Sequence, residues 1–478
     1  MSVPNTHFGA AKIAEMLRGA RRIHFIGIGG VNMSALAEIT FENGLSVTGS
    51  DRVRTAATER LEALGITVFY SHASGNVAEA DAVVYTVAIS DTNPEYRAAI
   101  TSGIPLISRA DYLGYLMTSR PVRIGVSGMH GKSTTTAMCA SAFTRAKADP
   151  TVLCGAEMPE FGSTFVTGNG DCFIFEACEY MDSFLDFNPT VAVILNIEND
   201  HVDYFKNITQ IRRSFADFAS LTGPDGICVV NADDANVKTA MSGIRALTLT
   251  FSGREKTDPD DPDHADFYPA SIDLSRGYPS FDVVSHGTLV AHIDLSVPGR
   301  HNVYNAIAAL ASGIACGLDP ALLAEGISGF TGAARRMEFK GKFAGADVYE
   351  DYGHHPTEIS ATIKGCREMG YRRVFCVFQP HTYSRTHSLF DDFADALSCA
   401  DEVILADIYA AREMETFGVS SEKLAEAVGE RAVRLPDWQS MADRLGERLT
   451  AGDALIVMGA GDIYHIFPYL GLPEKGGA

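Results

Sequence analysis

The chain of 478 residues is poor in several things. It has no C-x-x-C pair, and its nine cysteines are scattered, with Cys228, Cys316 and Cys376 inside apolar runs. That argues against a disulfide framework and for reduced thiols in a cytosolic setting. No apolar run reaches the roughly 18 residues a membrane span needs. The first residues, Met1 to Arg22, lack the uninterrupted apolar core of a secretory signal. Positive charge is also scarce: 39 Lys and Arg face 60 Asp and Glu, a net charge of −21. A broad basic surface for nucleic acid is therefore excluded, and any anionic ligand must be met by local devices such as backbone N–H groups, helix ends or a metal. Heptads, strict repeats and low-complexity tracts are missing too.

What is present is ordinary globular composition, 46% apolar and 21% charged, which excludes wholesale disorder. The length suggests about three domains at roughly 100–200 residues each. Short β-rich runs at 23–28, 45–49 and 82–86 alternate with helical stretches at 34–42 and 58–64, the pattern of a parallel α/β sheet. A linker at Ser119-Arg120-Pro121 precedes a second unit with strands at 122–126, 172–175, 191–195 and 226–230 and a helix at 133–145. The segment 257–265, dense in Asp and Pro, reads as an exposed loop. Residues 266–295 read as an antiparallel patch, and 301–316 as a helix. A third alternation begins near Gly332, with strands at 348–350, 374–378, 403–406 and 454–458. The expected domains are 1–118, 119–331 and 332–478.

The sharpest motif is Gly128-Met129-His130-Gly131-Lys132-Ser133-Thr134, between an apolar strand and a helix. Glycines let the backbone aim several N–H groups at one anion, and the helix N-terminus adds partial positive charge. Lys132 can reach terminal phosphates, and the Ser133 hydroxyl can ligate Mg²⁺. Val126 stands where the full eight-residue pattern has Gly, so the loop is a shortened form. A second loop, Gly27-Ile28-Gly29-Gly30-Val31-Asn32, is followed by Asp51 at the end of the next strand. It is close to a dinucleotide fingerprint, but Asn32 occupies the third glycine position. A nucleotide diphosphate, NAD and a structural turn all remain open for it.

Glu176 ends a strand and His201 follows one, so both lie at the carboxyl edge where ligands of parallel sheets bind. With Ser133 they could surround Mg²⁺, although Mg²⁺ prefers oxygen and His201 could equally be a hydrogen-bonded loop residue. Glu179, Asp200 and Asp203 are rival carboxylates. In the third unit, Asp351-Tyr352-Gly353-His354-His355-Pro356 and Gln379-Pro380-His381-Thr382-Tyr383-Ser384-Arg385 both follow strands. Arg385 could grip a carboxylate through two N–H groups, and Asp351 could accept from ribose hydroxyls. Arg335-Arg336 could reach phosphate from a hinge or be a solvated pair. Asn302 and Asn305 share a helix face and could read an adenine edge, or Asn302 could cap the helix.

Taken in order, these motifs resemble the Mur ligases of peptidoglycan synthesis over nearly the whole chain, and Tyr352-Gly353-His354-His355-Pro356 with Gln379-Pro380-His381 is most similar to the alanine-adding member. The resemblance implies a Rossmann-like N-terminal domain, a P-loop-type central ATPase domain and a Rossmann-like C-terminal domain. It implies a bacterial cytoplasmic monomer or homodimer that uses ATP and Mg²⁺ to join L-alanine to UDP-N-acetylmuramate through an acyl phosphate. A related ligase adding a preformed peptide or another amino acid is the alternative. The resemblance further implies that Gly27, Gly29, Gly30, Val31, Asn32, Met33, Ser34 and Asp51 face the uridine diphosphate. Residues 128–134, Asn302, Asn305, Arg335 and Asp351 would meet ATP, and Ser133, Glu176 and His201 would hold the metal. Tyr352, His354 and Arg385 would form the alanine site, with Lys132, His201 and His354 catalytic. Departures from the family pattern are Ser133 for Thr, Met129 for Thr in the loop, Cys178-Glu179 after Ala177, and Thr382 where many members carry Arg.

Overall fold

A computed structural model of the chain describes residues 3–201, 204–256, 265–275, 277–411 and 413–474. The expected loop at 257–264 and the rival carboxylate Asp203 lie outside the described residues. Three sheets follow one another along the chain. The first holds β1 (Arg22–Ile26), β2 (Ser46–Ser50), β3 (Thr67–Phe69), β4 (Ala82–Tyr85) and β5 (Leu106–Ser108), all parallel, in the order β3-β2-β1-β4-β5. Chain order reverses at β1, so the loop after β1 opens into a crevice between diverging connections.

The second sheet begins with β6 (Val122–Ser127), β7 (Thr151–Met158), β8 (Ser163–Val166), β9 (Cys172–Glu176) and β10 (Val191–Ile194). It continues through β11 (Ile227–Asn231), β12 (Leu247–Phe251), β13 (Phe267–Asp273), β14 (Ser280–Ser285) and β15 (Thr288–Asp294). Its order is β15-β14-β13-β12-β11-β10-β6-β9-β7-β8. The expected antiparallel patch is therefore an extension of the central sheet, joined through the parallel pairing of Phe251 with Phe267. Sequence reading passes over β7, β8 and β12. In β7 and β12 polar or small residues interrupt the apolar run, and four-residue β8 is too short to show a period. Strand β6 sits between β10 and β9, so its C-terminal end is again a point where chain order reverses. It is buried on both faces, as parallel strands covered by helices are.

The third sheet contains β16 (Glu338–Phe343), β17 (Ala346–Asp351), β18 (Val374–Phe378), β19 (Glu402–Leu405), β20 (Ala432–Arg434) and β21 (Ala454–Met458). Its order is β16-β17-β21-β18-β19-β20, parallel apart from the hairpin β16–β17. Strands β18 and β21 are buried along their whole length.

Polar contacts join the units. His7 Nδ1 lies 2.6 Å from Asp186 Oδ1, and the Arg60 guanidinium stands 4.9 Å from the Phe165 ring centre, both between the first and second units. The Ala334 N–H donates to the Glu157 carbonyl at 2.9 Å where the chain enters the third unit. No helix among the described residues is long and apolar enough to cross a membrane.

Packing at β6 is tight enough to test. A Cβ on Gly125 would come within 2.8 Å of the Phe175 ring and 3.0 Å of the Phe218 ring. Gly125→Ala should overpack this core by ~1–3 kcal/mol and lower the melting temperature by several degrees, at ~2–4 °C per kcal/mol. A melting temperature equal to that of the parent chain would contradict this packing.

Candidate functional site

The loop after β6 needs glycine at both ends. Gly128 has φ 143° and Gly131 φ 84°, and a Cβ on Gly131 would lie 2.6 Å from Asn305 Oδ1. The loop is braced by Asn196: its Oδ1 accepts from the His130 N–H at 2.8 Å and its Nδ2 donates to the His130 carbonyl at 3.0 Å. Helix Lys132–Arg145 then starts, so Lys132, Ser133 and Thr134 form its first turn, where helix N–H groups lack intrahelical partners.

Lys132 Nζ donates to the Gly128 carbonyl at 2.6 Å and pairs with Glu179 at 3.0 Å. Glu179 is buried and also meets His201 Nε2 at 3.0 Å. Burial works against the Lys132 charge, but Glu179 outweighs it, and the ammonium is pushed above its ordinary value. Burial likewise opposes the Glu179 charge, but Lys132 and His201 bring its carboxyl below the usual range. Glu179, rated second to Glu176 on sequence grounds, is thus the carboxylate that links Lys132 with His201. Glu176 accepts from the Gly155 N–H at 2.8 Å, and a Cβ on Gly155 would run into it. His201 sits at φ 52°, an uncommon conformation for a residue with a Cβ.

A cavity of about 440 Å³ opens beside this loop, between the second and third units. Its walls include His130, Gly131, Thr134, Asn302, Asn305, Arg336 and Asp351. Asn305 Nδ2 donates to Asn302 Oδ1 at 2.9 Å, and Asn302 Nδ2 donates to the Pro298 carbonyl at 2.7 Å. Both asparagines are buried within the helix His301–Ala315. Asn302 is therefore held by its neighbours rather than capping the helix. Asp351 accepts from the N–H groups of Met337 and Gly353, and burial raises its carboxyl to about 6. The adjacent arginines part company. Arg335, at φ 58°, turns into the third unit, pairs with Glu350 at 2.7 Å and donates to the Gly459 carbonyl. Arg336 lines the cavity instead. The arginine expected at ATP is Arg335; the one in the cavity wall is its neighbour.

His130 lies where the two units meet. Its Nε2 stands 3.5 Å from Glu198 and its Nδ1 3.3 Å from Glu358, while its ring lies 4.7 Å from that of His355. Glu358 belongs to helix Pro356–Glu368, where it reaches back to the N–H of His355. Glu358 is signalled in the sequence by that capping box, His355-Pro356-Thr357-Glu358, with Pro in the first turn. Thr357 Oγ1 also donates to Glu198 at 2.6 Å.

The remaining expected residues form a second group. Arg385 is buried; its Nε donates to Asp200 Oδ1 at 3.0 Å and its Nη1 lies 3.3 Å from His381 Nδ1. Sequence reading takes Asp200 for a possible metal ligand, and its partner is 185 positions away. His354 Nδ1 is 3.1 Å from the Tyr352 carbonyl, which makes Nδ1 the protonated nitrogen and leaves Nε2 as an acceptor. Burial pushes the His354 pKa down to about 3, so the ring is neutral. Tyr352 stacks under both Arg335 and Arg336, at 4.8 and 5.2 Å.

In the first unit, Gly27 turns at φ 83° and Gly29 donates to Asp51 Oδ2 at 2.9 Å, the carboxylate being close enough to exclude a Cβ. Helix Val31–Glu42 begins directly after Gly30; Met33 and Ser34 are buried, while Gly30 and Val31 are exposed. The missing third glycine, at Asn32, does not prevent the strand–loop–helix geometry.

Burial opposes the His130 charge, but Glu358 and Glu198 outweigh it and raise its pKa from 6.5 to about 10. A raised folded-state pKa stabilises fully below about 6.5, and the contribution is lost as pH rises towards about 10. The melting temperature should therefore fall between pH 6.5 and 10 by more in the parent chain than in His130→Gln. Equal falls would show that His130 is not held charged at this junction.

Comparison with known proteins matches three successive segments: "Mur ligase family, catalytic domain" over residues 22–120, "Mur ligase middle domain" over 126–313 and "Mur ligase, glutamate ligase domain" over 335–461. A UDP-N-acetylmuramate–L-alanine ligase of Caldanaerobacter subterraneus subsp. tengcongensis is 43% identical over 449 residues, covering 93% of this chain and 96% of its own. The enzyme of that name from Clostridium novyi is 42% identical with the same coverage. Among solved structures, the UDP-N-acetylmuramate-alanine ligase of Thermotoga maritima superposes with a TM-score of 0.75 at 28% identity, over 93% of this chain and 97% of that one. A murein peptide ligase from Psychrobacter arcticus, 22% identical with a TM-score of 0.68 over 94% of this chain and 98% of that one, shares the fold. By sequence and by architecture, this chain belongs to the Mur ligase family.

Proposed function

We propose that the chain is an ATP-dependent amide ligase that joins L-alanine to the lactyl carboxylate of UDP-N-acetylmuramate, as the names of its relatives describe for those proteins. The observation that carries this reading is the meeting of the lysine-bearing phosphate loop with the His354–Arg385 group at one seam, bridged by His130–Glu358 and Asp200–Arg385. Residues 1–118 take the nucleotide sugar, 119–331 take ATP, and 332–478 bring the amino acid.

The lactyl carboxylate attacks the γ-phosphorus of ATP, ADP departs, and an acyl phosphate forms. The α-amine of alanine then attacks the acyl carbon, the C–O bond to phosphate breaks, and inorganic phosphate leaves. Two anions must meet in the first step, so positioned positive charge is the protein's main contribution. The half-buried Lys132 ammonium and the helix N-terminus behind it supply that charge beside the phosphoryl group. Asn302 and Asn305 face the adenine, Asp351 the ribose, and Arg336 the phosphates from the cavity wall. Neutral His354, with Nδ1 donating to the Tyr352 carbonyl and Nε2 left to accept, relays the ammonium proton to the departing phosphate. Closure of the seam keeps water from the acyl phosphate.

The donor set fits Mg²⁺. Ser133, Glu176 and Glu179 offer hard oxygens at the carboxyl edge of the central sheet, and among the described residues the buried Glu179 Oε2 has only its ion-pair contact to Lys132. Ser133, His201 and one or both carboxylates would hold the ion, which when bound offsets charge on the phosphates.

The reading is tested by phosphate release from ATP, Mg²⁺ and UDP-N-acetylmuramate with and without L-alanine, other amino acids and peptides competing in the same assay. Sustained release should require L-alanine; release driven better by a peptide would overturn the amino-acid assignment. Lys132→Ala should reduce turnover by at least ~10²-fold, the scale for loss of one transition-state charge stabiliser, and near-parental ADP formation would contradict its role. Arg385→Ala should raise the KM for alanine far more than that for ATP; equal rises would remove Arg385 from the amino-acid site.

A further inference from the structure

Arg385 and Asp200 form an ion pair whose two ends come from different units, and both side chains are buried. Around them stand His354, whose ring lies 6.0 Å from that of His381, and His381 itself, which faces Arg385 Nη1. The two oxygens of Asp200 are used unequally. Oδ1 accepts from Arg385 Nε at 3.0 Å and from the His201 N–H at 2.6 Å. Oδ2 has one long contact, 3.5 Å to Arg385 Nη2, among the described residues. The carboxylate therefore has a lone pair to spare on Oδ2, beside the Arg385 guanidinium.

An amino acid arrives as a zwitterion, a carboxylate one carbon from an ammonium. Its electrostatic complement is a fixed cation beside a fixed anion. An arginine alone would hold the carboxylate and leave the ammonium to be stripped of water without compensation. We infer that Asp200 is the second half of the amino-acid site: Arg385 takes the carboxylate of the incoming alanine, and Asp200 Oδ2 takes its ammonium. The inference rests on the proposed ligase reading and adds a specificity residue to it. In this arrangement the central unit supplies the ammonium contact and the C-terminal unit the carboxylate contact, so the amino acid is gripped fully only when the two units are together. The chemical step is unchanged. Once one ammonium proton has moved through His354, the nitrogen lone pair forms the bond to the acyl carbon, and the electrons of the breaking C–O bond leave on phosphate.

The rival role for Asp200 is that it merely orients Arg385. Three nucleophiles separate the two. Hydroxylamine is small, uncharged and without a carboxylate, and traps the acyl phosphate as a hydroxamate. L-Alaninamide keeps the ammonium but lacks the carboxylate. L-Alanine has both. For Asp200→Asn, kcat/KM for L-alanine should fall at least ~10-fold further than hydroxylamine-dependent ADP release, the scale of a lost charge-assisted hydrogen bond. The rate with L-alaninamide should fall by a similar factor. If L-alaninamide turnover is untouched while L-alanine turnover falls, Asp200 acts only through Arg385 and the inference is wrong. If hydroxylamine-dependent release falls as far as L-alanine turnover, Asp200 serves phosphoryl transfer or folding, and the inference is again wrong. Absence of hydroxamate from the parent enzyme would instead strike the acyl-phosphate reading itself.

Discussion

Everything in this crevice depends on one interaction, the imidazolium of His130 held between Glu198 and Glu358. His130 is part of the phosphate loop, and its backbone is clamped by Asn196. Glu358 caps the helix that follows the His354-His355 motif. This charged ring thus ties the groups that handle phosphate to those assigned to the amino acid, alongside the Thr357–Glu198 and Asp200–Arg385 contacts. In a protein with a net charge of −21, a cation in that position also separates carboxylates that would otherwise repel each other across the seam. Burial alone would discharge the ring; it stays charged because two carboxylates face it at once.

The same logic recurs around it. The cations of the crevice each carry a buried acidic partner: Lys132 has Glu179, and Arg385 has Asp200. Such pairs add little net stability, because desolvation offsets the attraction. Their value is positional. Each pair holds a long, flexible side chain in one orientation, and in the case of Asp200–Arg385 it does so across two structural units.

Much of the architecture is legible in the sequence. Apolar runs locate β1, β6, β18 and β21 to within a residue or two, because strands buried on both faces leave an uninterrupted signal. The phosphate loop is legible for the same reason, since strand, glycines, lysine and helix start lie within a few consecutive residues. Less legible is which of several nearby acids meets which cation. Glu176 and Glu179 are three positions apart, but Glu176 still belongs to β9 while Glu179 lies beyond its end, and it is Glu179 that meets Lys132. Arg335 and Arg336 are indistinguishable on paper; the left-handed turn at Arg335 sends one into the third unit and the other into the cavity. The pairings His130–Glu358 and Asp200–Arg385 each span 185 positions or more, and no local period or motif encodes such a contact.

The central claim is that His130 and Glu358 act as one unit in joining the phosphate loop to the amino-acid motif. A double-mutant cycle on kcat/KM for L-alanine, with His130→Gln and Glu358→Gln singly and together, tests it most directly. The account predicts strong non-additivity, a coupling within the ~0.5–3 kcal/mol seen for residues in contact. Effects that add to within ~0.3–0.5 kcal/mol, as for distant independent sites, would contradict it.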